Sequence, residues 1–305
     1  MNRKIIVVGS TNMDMVVTTH HIPNPGETVL GGSFFMNPGG KGANQAVAIS
    51  RLGGDVTFVS KIGNDIFGKQ SAKMFDDEGV DIRSIKSEVN CPSGIALITV
   101  DEHGENSIVV APGANASLSE SDVEESVSQH PNCAILLVQL EIPIQTVAYS
   151  IRFARERNIR VILNPAPVNV NVKPFLDQVD IITPNVTEAE MLSGCSISDL
   201  ESAEKAAVKI KDFGVEIVVI TLGSRGALLL DDDGACHIPA PNVDPVDTTA
   251  AGDVFNGALA VAIAEDKNMR DAVTFACKCA AISVTRMGAQ SSIPYRNDVL
   301  LTYVK

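Results

Sequence analysis

One acid, Asp253, stands directly behind the small residues Ala250-Ala251-Gly252 in the stretch VDTTAAGDVFNGALAVAIA, Val246 to Ala264. Val254, Phe255, Ala258, Leu259, Ala262 and Ile263 recur at helical spacing, so a helix begins near Gly252. The first turn of a helix carries unpaired N–H groups, and its dipole favours an anion there. Alanine and glycine leave those amides uncovered. A carboxylate beside an anion cradle repels the anion, so its natural task is to take a proton from a nucleophile attacking it. Amide nest plus base is the equipment for phosphoryl transfer to a hydroxyl. Alone, such an Asp is more simply read as complementing the helix dipole.

Four further stretches carry chemistry-bearing residues. NPGGKGANQA (Asn37–Ala46) sets Gly39, Gly40 and Gly42 around Lys41 before a helix, with Asn44 in the first helical turn. It lacks the spacing of a Walker A loop. In VGSTNMDM, Asn12 and Asp14 alternate with Met13 and share one face of a strand, an amide and a carboxylate suited to reading sugar hydroxyls. In ITPNVTEAEML, Asn185 ends a strand, and Thr187 with Glu190 are expected to form a capping box that requires neither Asn185 nor Glu188. In VVITLGSRGALLL, a strand stops at Thr221, turns through Gly223-Ser224-Arg225-Gly226 and returns; Arg225 there could meet phosphates, though a plain hairpin would look similar.

These residues need a scaffold. Buried-type strands (KIIVVGS, DVTFVSKIG, CAILLVQLE, IRVILNP, DIITPN, EIVVIT) alternate with helical segments, the pattern of βαβ units. A three-layer α/β/α fold with a mostly parallel central sheet is expected. Two regions break the alternation. MVVTTHH, ETVLGGSFF, GIALITVD and NSIVVAP read as antiparallel strands of a small β-sheet lid over the carboxyl edge of the main sheet, where open α/β sheets bind ligands. The expected division is a core of residues 1–13, 37–92 and 113–305 and a lid of residues 14–36 and 93–112. Asp231-Asp232-Asp233-Gly234 reads as a hairpin turn and His20-His21 as an exposed pair.

The 305 residues, 45% apolar, suffice for a large core. A net charge of −13 argues against nucleic acid or anionic membrane as the main partner, but not against a small anion held by local dipoles. The apolar run in MNRKIIVVGS is too short for a signal or a membrane span. Six scattered cysteines, with no CxxC pair, read as free thiols of a cytoplasmic protein.

In order along the chain, GSTNMD, PGGKGANQA, LEIP, NPAP, TPNVTEAE, TLGSRG, DTTAAGD and GAQSSIP closely resemble the motifs of the ribokinase-like family of carbohydrate kinases. Each is weak alone; eight in register are specific. The wider family usually has glycine where this chain has Ala250; the branch acting on ribose often has alanine. The resemblance implies ATP-dependent phosphorylation of D-ribose at its 5-hydroxyl. Asp253 is then the base, the amides of Ala250, Ala251 and Gly252 the anion hole, and Asn12, Asp14, Gly40, Lys41, Asn44 and Glu141 ribose contacts. Asn185, Thr221, Gly223, Ser224, Arg225, Gly226 and Gly252 would form the ATP site, with Glu188 helping to hold Mg2+ through water. Cys277 falls near the adenine, where related kinases often carry His or Asn. A K+ site would map to Asp247, Thr249, Ser283, Arg286, Gly288 and Ser292, and the lid would form a homodimer contact.

Asp14 and Glu141, with Lys41 the only nearby base, would repel a phosphorylated sugar and favour a neutral polyol. Deoxyribose, a nucleoside or another sugar is the alternative substrate; a non-catalytic sugar-binding protein would have been free to lose Asp253. A dinucleotide oxidoreductase is disfavoured because the first strand ends in GSTNMD, not GxGxxG.

Overall fold

A computed structural model describes residues 3–303. Its elements begin β1 (Lys4–Val8), β2 (Asn12–Thr18), β3 (Phe34–Gly39), α1 (Lys41–Arg51), β4 (Val56–Gly63), α2 (Ile66–Asp77), β5 (Ile85–Glu88), β6 (Gly94–Val100) and β7 (Asn106–Ala111). There follow α3 (Glu120–Gln129), β8 (Cys133–Val138), α4 (Ile144–Arg155), β9 (Arg160–Leu163), β10 (Ile181–Ile182), α5 (Val186–Ser193) and α6 (Leu200–Lys211). The last are β11 (Ile217–Thr221), β12 (Ala227–Asp231), β13 (Gly234–Ile238), α7 (Ala251–Ala264), α8 (Met269–Ser283) and α9 (Arg296–Tyr303).

Nine strands form the main sheet in the order β13-β12-β11-β10-β9-β8-β1-β4-β5. All pairs are parallel except β11/β12 and β12/β13. Alternation along the strands feeds two cores. Ile5 and Val7 of β1 face the layer of α1, α7 and α8, while Ile6 and Val8 face that of α4, α5 and α6. Burial on both faces explains why these strands are continuously apolar rather than alternating. β1 is the switch point. The chain crosses to β4 and β5 on one side and to β8 through β11 on the other, leaving a crevice at the carboxyl ends.

The second sheet has the order β3-β2-β6-β7. It is not wholly antiparallel, as the strand pattern suggested: β2 and β6 run parallel, each with an antiparallel partner, β3 and β7 respectively. β2 and β6 both leave the carboxyl edge of the main sheet in the same direction, and β3 and β7 lead back. ETVLGGSFF is strand only from Phe34, because Gly31 and Gly32 hold φ of 111° and 101° and interrupt the extended backbone. The single helix expected between DIITPN and EIVVIT is two, α5 and α6. α3, ESDVEESVSQ, escaped notice because Val123 and Val127 are its only apolar residues. The Asp231–Gly234 hairpin and the exposed His20 and His21 are as expected. All six cysteines are free, and no described helix is long and apolar enough to cross a membrane.

Candidate active site

The expected site residues converge on the carboxyl ends of the parallel strands. Asn12 lies beyond β1, Glu141 beyond β8, Asn185 beyond β10, and Thr221 closes β11. Gly40 caps α1 with φ 90°, and a β-carbon there would come within 2.8 Å of the Asn12 nitrogen. Only glycine lets α1 start so close to the end of β1. Glu141 ties these segments together. Its Oε2 accepts from Ser10 Oγ at 2.5 Å and from the Lys41 amide at 3.1 Å. Asn12 is buried, its Oδ1 accepting from Asn115 Nδ2 at 2.8 Å. Asp14 packs its carboxylate over Gly39 and is paired across β2 and β3 with Asn37.

Asp253 sits in the first turn of α7, buried, with each carboxylate oxygen held by an amide of α1. Asn44 Nδ2 donates to Oδ2 at 2.9 Å and Gln45 Nε2 to Oδ1 at 3.0 Å. Ala250 precedes the helix at φ 60°, ψ 6°, the left-handed region where glycine is free of strain. Of the three expected nest amides, those of Ala250 and Gly252 have no partner among the described residues, whereas that of Ala251 donates to the Thr248 carbonyl at 3.2 Å. A β-carbon on Gly252 would meet nothing within 4 Å, so the helix mouth is open.

The site is a buried cluster of carboxylates around one ammonium. Burial raises the Asp253 carboxyl; Lys41, Asn44 and Gln45 oppose the rise and Glu141 adds to it. Burial, then Glu141 and Asp253, raise Asp14 to about 7 against the pull of Lys41. Burial also raises Glu188, opposed by its bond from the Asn185 amide and by Lys41. Burial alone would lower Lys41, but Asp253, Glu141, Glu188 and Asp14 outweigh it and hold the ammonium charged.

A cavity of about 620 Å³ opens beside the α7 N-terminus. Asn185, Thr221, Gly223, Ser224, Gly226, Gly252 and Cys277 line it, as expected; Arg225 and Glu188 do not. The Arg225 guanidinium turns away to the Ser198 carbonyl at 3.2 Å. The capping box of α5 is formed not by Thr187 and Glu190 but by Asn185 and Glu188. Asn185 Oδ1 accepts from the Glu188 amide at 2.8 Å, and Glu188 Oε2 from the Asn185 amide at 2.9 Å. Asn185 lies one residue before the helix, so the chain enters α5 two residues earlier than a Thr187 cap would require. Glu190 instead accepts from the Ile197 amide. The apolar wall, Val243 and Pro245 from loop 239–250 and Ala280 and Val284 from the end of α8, was not anticipated, since the loop carries no periodic signal and only the fold brings it against that helix. Burial pushes the Cys277 thiol up to about 12, keeping it neutral.

Behind the cavity, Asp247 bridges two loops, accepting from the Thr249 amide at 2.9 Å and the Gly288 amide at 2.8 Å. The Arg286 amide donates to the Ser283 carbonyl at 3.0 Å, and Ser292 is fully buried one turn beyond Ala289. The carbonyls of Thr249, Arg286 and Gly288 accept no hydrogen bond among the described residues. No described cluster of three or more His, Cys, Asp or Glu could hold a metal. Residues missed in the sequence are Ser10, Gln45, Asn115, Gln139 and Asn164. Gln45 and Asn164 stood inside the quoted GANQA and NPAP, where their polarity at buried positions was the available signal.

A family model described as pfkB family carbohydrate kinase matches residues 2–296. The chain is 44% identical to a ribokinase of Haemophilus influenzae over 98% of both chains. It is 35% identical to a deoxyribokinase of Salmonella typhi over 95% of both. It superposes on the structure of Arabidopsis thaliana ribokinase complexed with ribose and ATP with a TM-score of 0.88, at 33% identity, covering 99% of this chain and 98% of that one. Matched in sequence and in fold along nearly its whole length, the chain belongs to the pfkB family of carbohydrate kinases.

Proposed function

We propose that this chain transfers the γ-phosphoryl of ATP to the 5-hydroxyl of D-ribose, giving ribose 5-phosphate and ADP. The observation that carries this reading is Asp253: a buried carboxylate, held on both oxygens, one residue past the free amide of Gly252. In the proposed reaction the sugar O5–H gives its proton to Asp253, O5 bonds to the γ-phosphorus, and the β,γ-bridging oxygen leaves with ADP. The free amides of Ala250 and Gly252 stabilise charge on the transferring group. Asn12, Asp14, Lys41, Asn44 and Glu141 orient the sugar. One ammonium among the carboxylates of Asp14, Glu141, Glu188 and Asp253 supports a neutral polyol over a sugar phosphate.

The nucleotide would occupy the cavity between Asn185, Thr221–Gly226 and Cys277. Glu188, one oxygen of which is spent on its cap, would hold magnesium through water; the ion, when bound, neutralises phosphate charge. The unpaired carbonyls of Thr249, Arg286 and Gly288, with Asp247, fit a potassium ion, since carbonyl oxygens replace its hydration shell. Phe34, Leu97, Ile108 and Val109 expose apolar surface on the small sheet, which supports its role as a lid and as the contact of a homodimer.

Deoxyribose is the second reading, carried by similarity to the deoxyribokinase. A coupled ADP-release assay with magnesium, potassium and ATP would compare ribose, 2-deoxyribose, adenosine and fructose 6-phosphate. Preference for ribose, abolished in Asp253→Asn, is expected. Preference for deoxyribose would keep the mechanism and overturn the substrate.

A further inference from the structure

A circuit of buried hydrogen bonds lies behind Asp253. Gln45 of α1 is fully buried, and its Nε2 donates to Asp253 Oδ1 and to Asn164 Oδ1, each at 3.0 Å. Its Oε1 accepts from Gln139 Nε2 at 2.6 Å. Both amide hydrogens are therefore committed. Turning the amide over would set its oxygen against two acceptors, so the circuit admits one orientation. Asn164 Nδ2 in turn donates to the Thr183 carbonyl at 3.3 Å. The Thr183 hydroxyl donates to Asn256 Oδ1 at 2.6 Å, and Asn256 Nδ2 donates to the Gly252 carbonyl at 2.8 Å. The path from the Asp253 carboxylate thus returns to the residue before it, Gly252, which lines the cavity.

Two features show that this circuit is more than packing. Gln139 keeps its Oε1 buried without a hydrogen-bond partner, a cost an apolar side chain would avoid. Its amide also requires glycine at position 9, where a β-carbon would come 2.1 Å from that oxygen. With Asn44 on Oδ2 and Gln45 on Oδ1, the Asp253 carboxylate cannot rotate without breaking a bond.

We propose that Gln45, oriented by Gln139 and Asn164, is the positioning residue of Asp253, and that the chain through Asn164, Thr183 and Asn256 locks the carboxylate to the Gly252 end of the amide nest. This rests on the reading of Asp253 as the base.

The test is Gln45→Met, which keeps length and volume and removes the donor. Turnover is expected to fall about 10–100-fold, the scale of a small misplacement of a reacting group, with little change in either KM. The acidic limb of the kcat profile should move to higher pH, because a donor to the ionised carboxylate is gone while Lys41, Asp14, Glu141 and Glu188 still face it. In an Asp253→Asn background, Gln45→Met should cost nothing further. Ribose binding by calorimetry reports whether the variant is folded. Should it not fold, Asn164→Leu, which frees the Gln45 amide to turn, is expected to move kcat and the limb in the same direction. A folded variant with unchanged kcat and limb, or one that loses only thermal stability, overturns the positioning role. Near-normal turnover in Asp253→Asn overturns the base reading itself, a separate result.

Discussion

Gly257 of α7 lies against Ala48 of α1 so closely that a β-carbon on Gly257 would stand 2.7 Å from the Ala48 methyl and 3.0 Å from the Gln45 carbonyl oxygen. The helices approach closely there, with the Ala48 methyl against the bare Gly257 backbone. That approach brings Asn44 and Gln45, 209 and 208 positions distant in sequence, into hydrogen-bond range of Asp253. Gly257→Ala improves helix propensity by about 1 kcal/mol. It is nonetheless expected to destabilise by a net ~1–3 kcal/mol through overpacking, and to lower turnover more than it raises either KM. Urea unfolding with steady-state kinetics checks this; a more stable, fully active variant would show that the helices part freely.

Asp14 makes stability depend on pH. Its carboxyl rises from 3.8 to about 7 on folding, through burial first and then Glu141 and Asp253. The folded state therefore binds the proton more tightly than the unfolded chain. The stabilisation is fully present below about pH 4 and is lost as pH rises through about 7. Asp14→Asn removes this dependence, so the variant should gain on the parent protein between about pH 5 and pH 8, by at most about 3 kcal/mol. Urea midpoints at the two pH values measure it, and a constant difference would sink the assignment.

Gly223 faces the nucleotide cavity with nothing within 4 Å of a built β-carbon. Gly223→Asp places a negative charge there and also meets a φ of 61°. KM for ATP should rise roughly tenfold or more, the equivalent of about 1.4 kcal/mol, with ribose affinity unchanged. Equal loss of both affinities would point instead to a collapsed loop.

Potassium should activate. Asp247 itself ties the Thr249 and Gly288 amides together, and the proposed site would use the carbonyls beside them. Turnover is expected to fall when potassium is replaced by a large organic cation, and Asp247→Ala should abolish the difference between cations. Equal activity in sodium, potassium and the organic cation removes the site.

Periodicity alone determined the parallel α/β body, the start of α7 at the small residues before Asp253, and the β-rich excursions on either side of it. It could do so because burial on both faces of a sheet, and on the core side of a helix, writes a local repeat into the chain. The spacing of polar residues marked Asn12, Asp14, Lys41 and Asn44, the resemblance added Glu141, and the structure brings those residues together beyond the strand ends. What only the tertiary structure decided has no local repeat. The parallel pairing of β2 with β6 joins strands whose directions are set by where each leaves the main sheet. The cap on α5 belongs to Asn185 and Glu188 because the chain turns into the helix before Thr187. Arg225 leaves the cavity because a carbonyl at Ser198 lies within its reach. Gln45, Gln139 and Asn164 meet from three separate crossovers. A hydrogen bond between residues about a hundred positions apart depends on how the layers close, and that is decided by packing rather than by any neighbour in sequence.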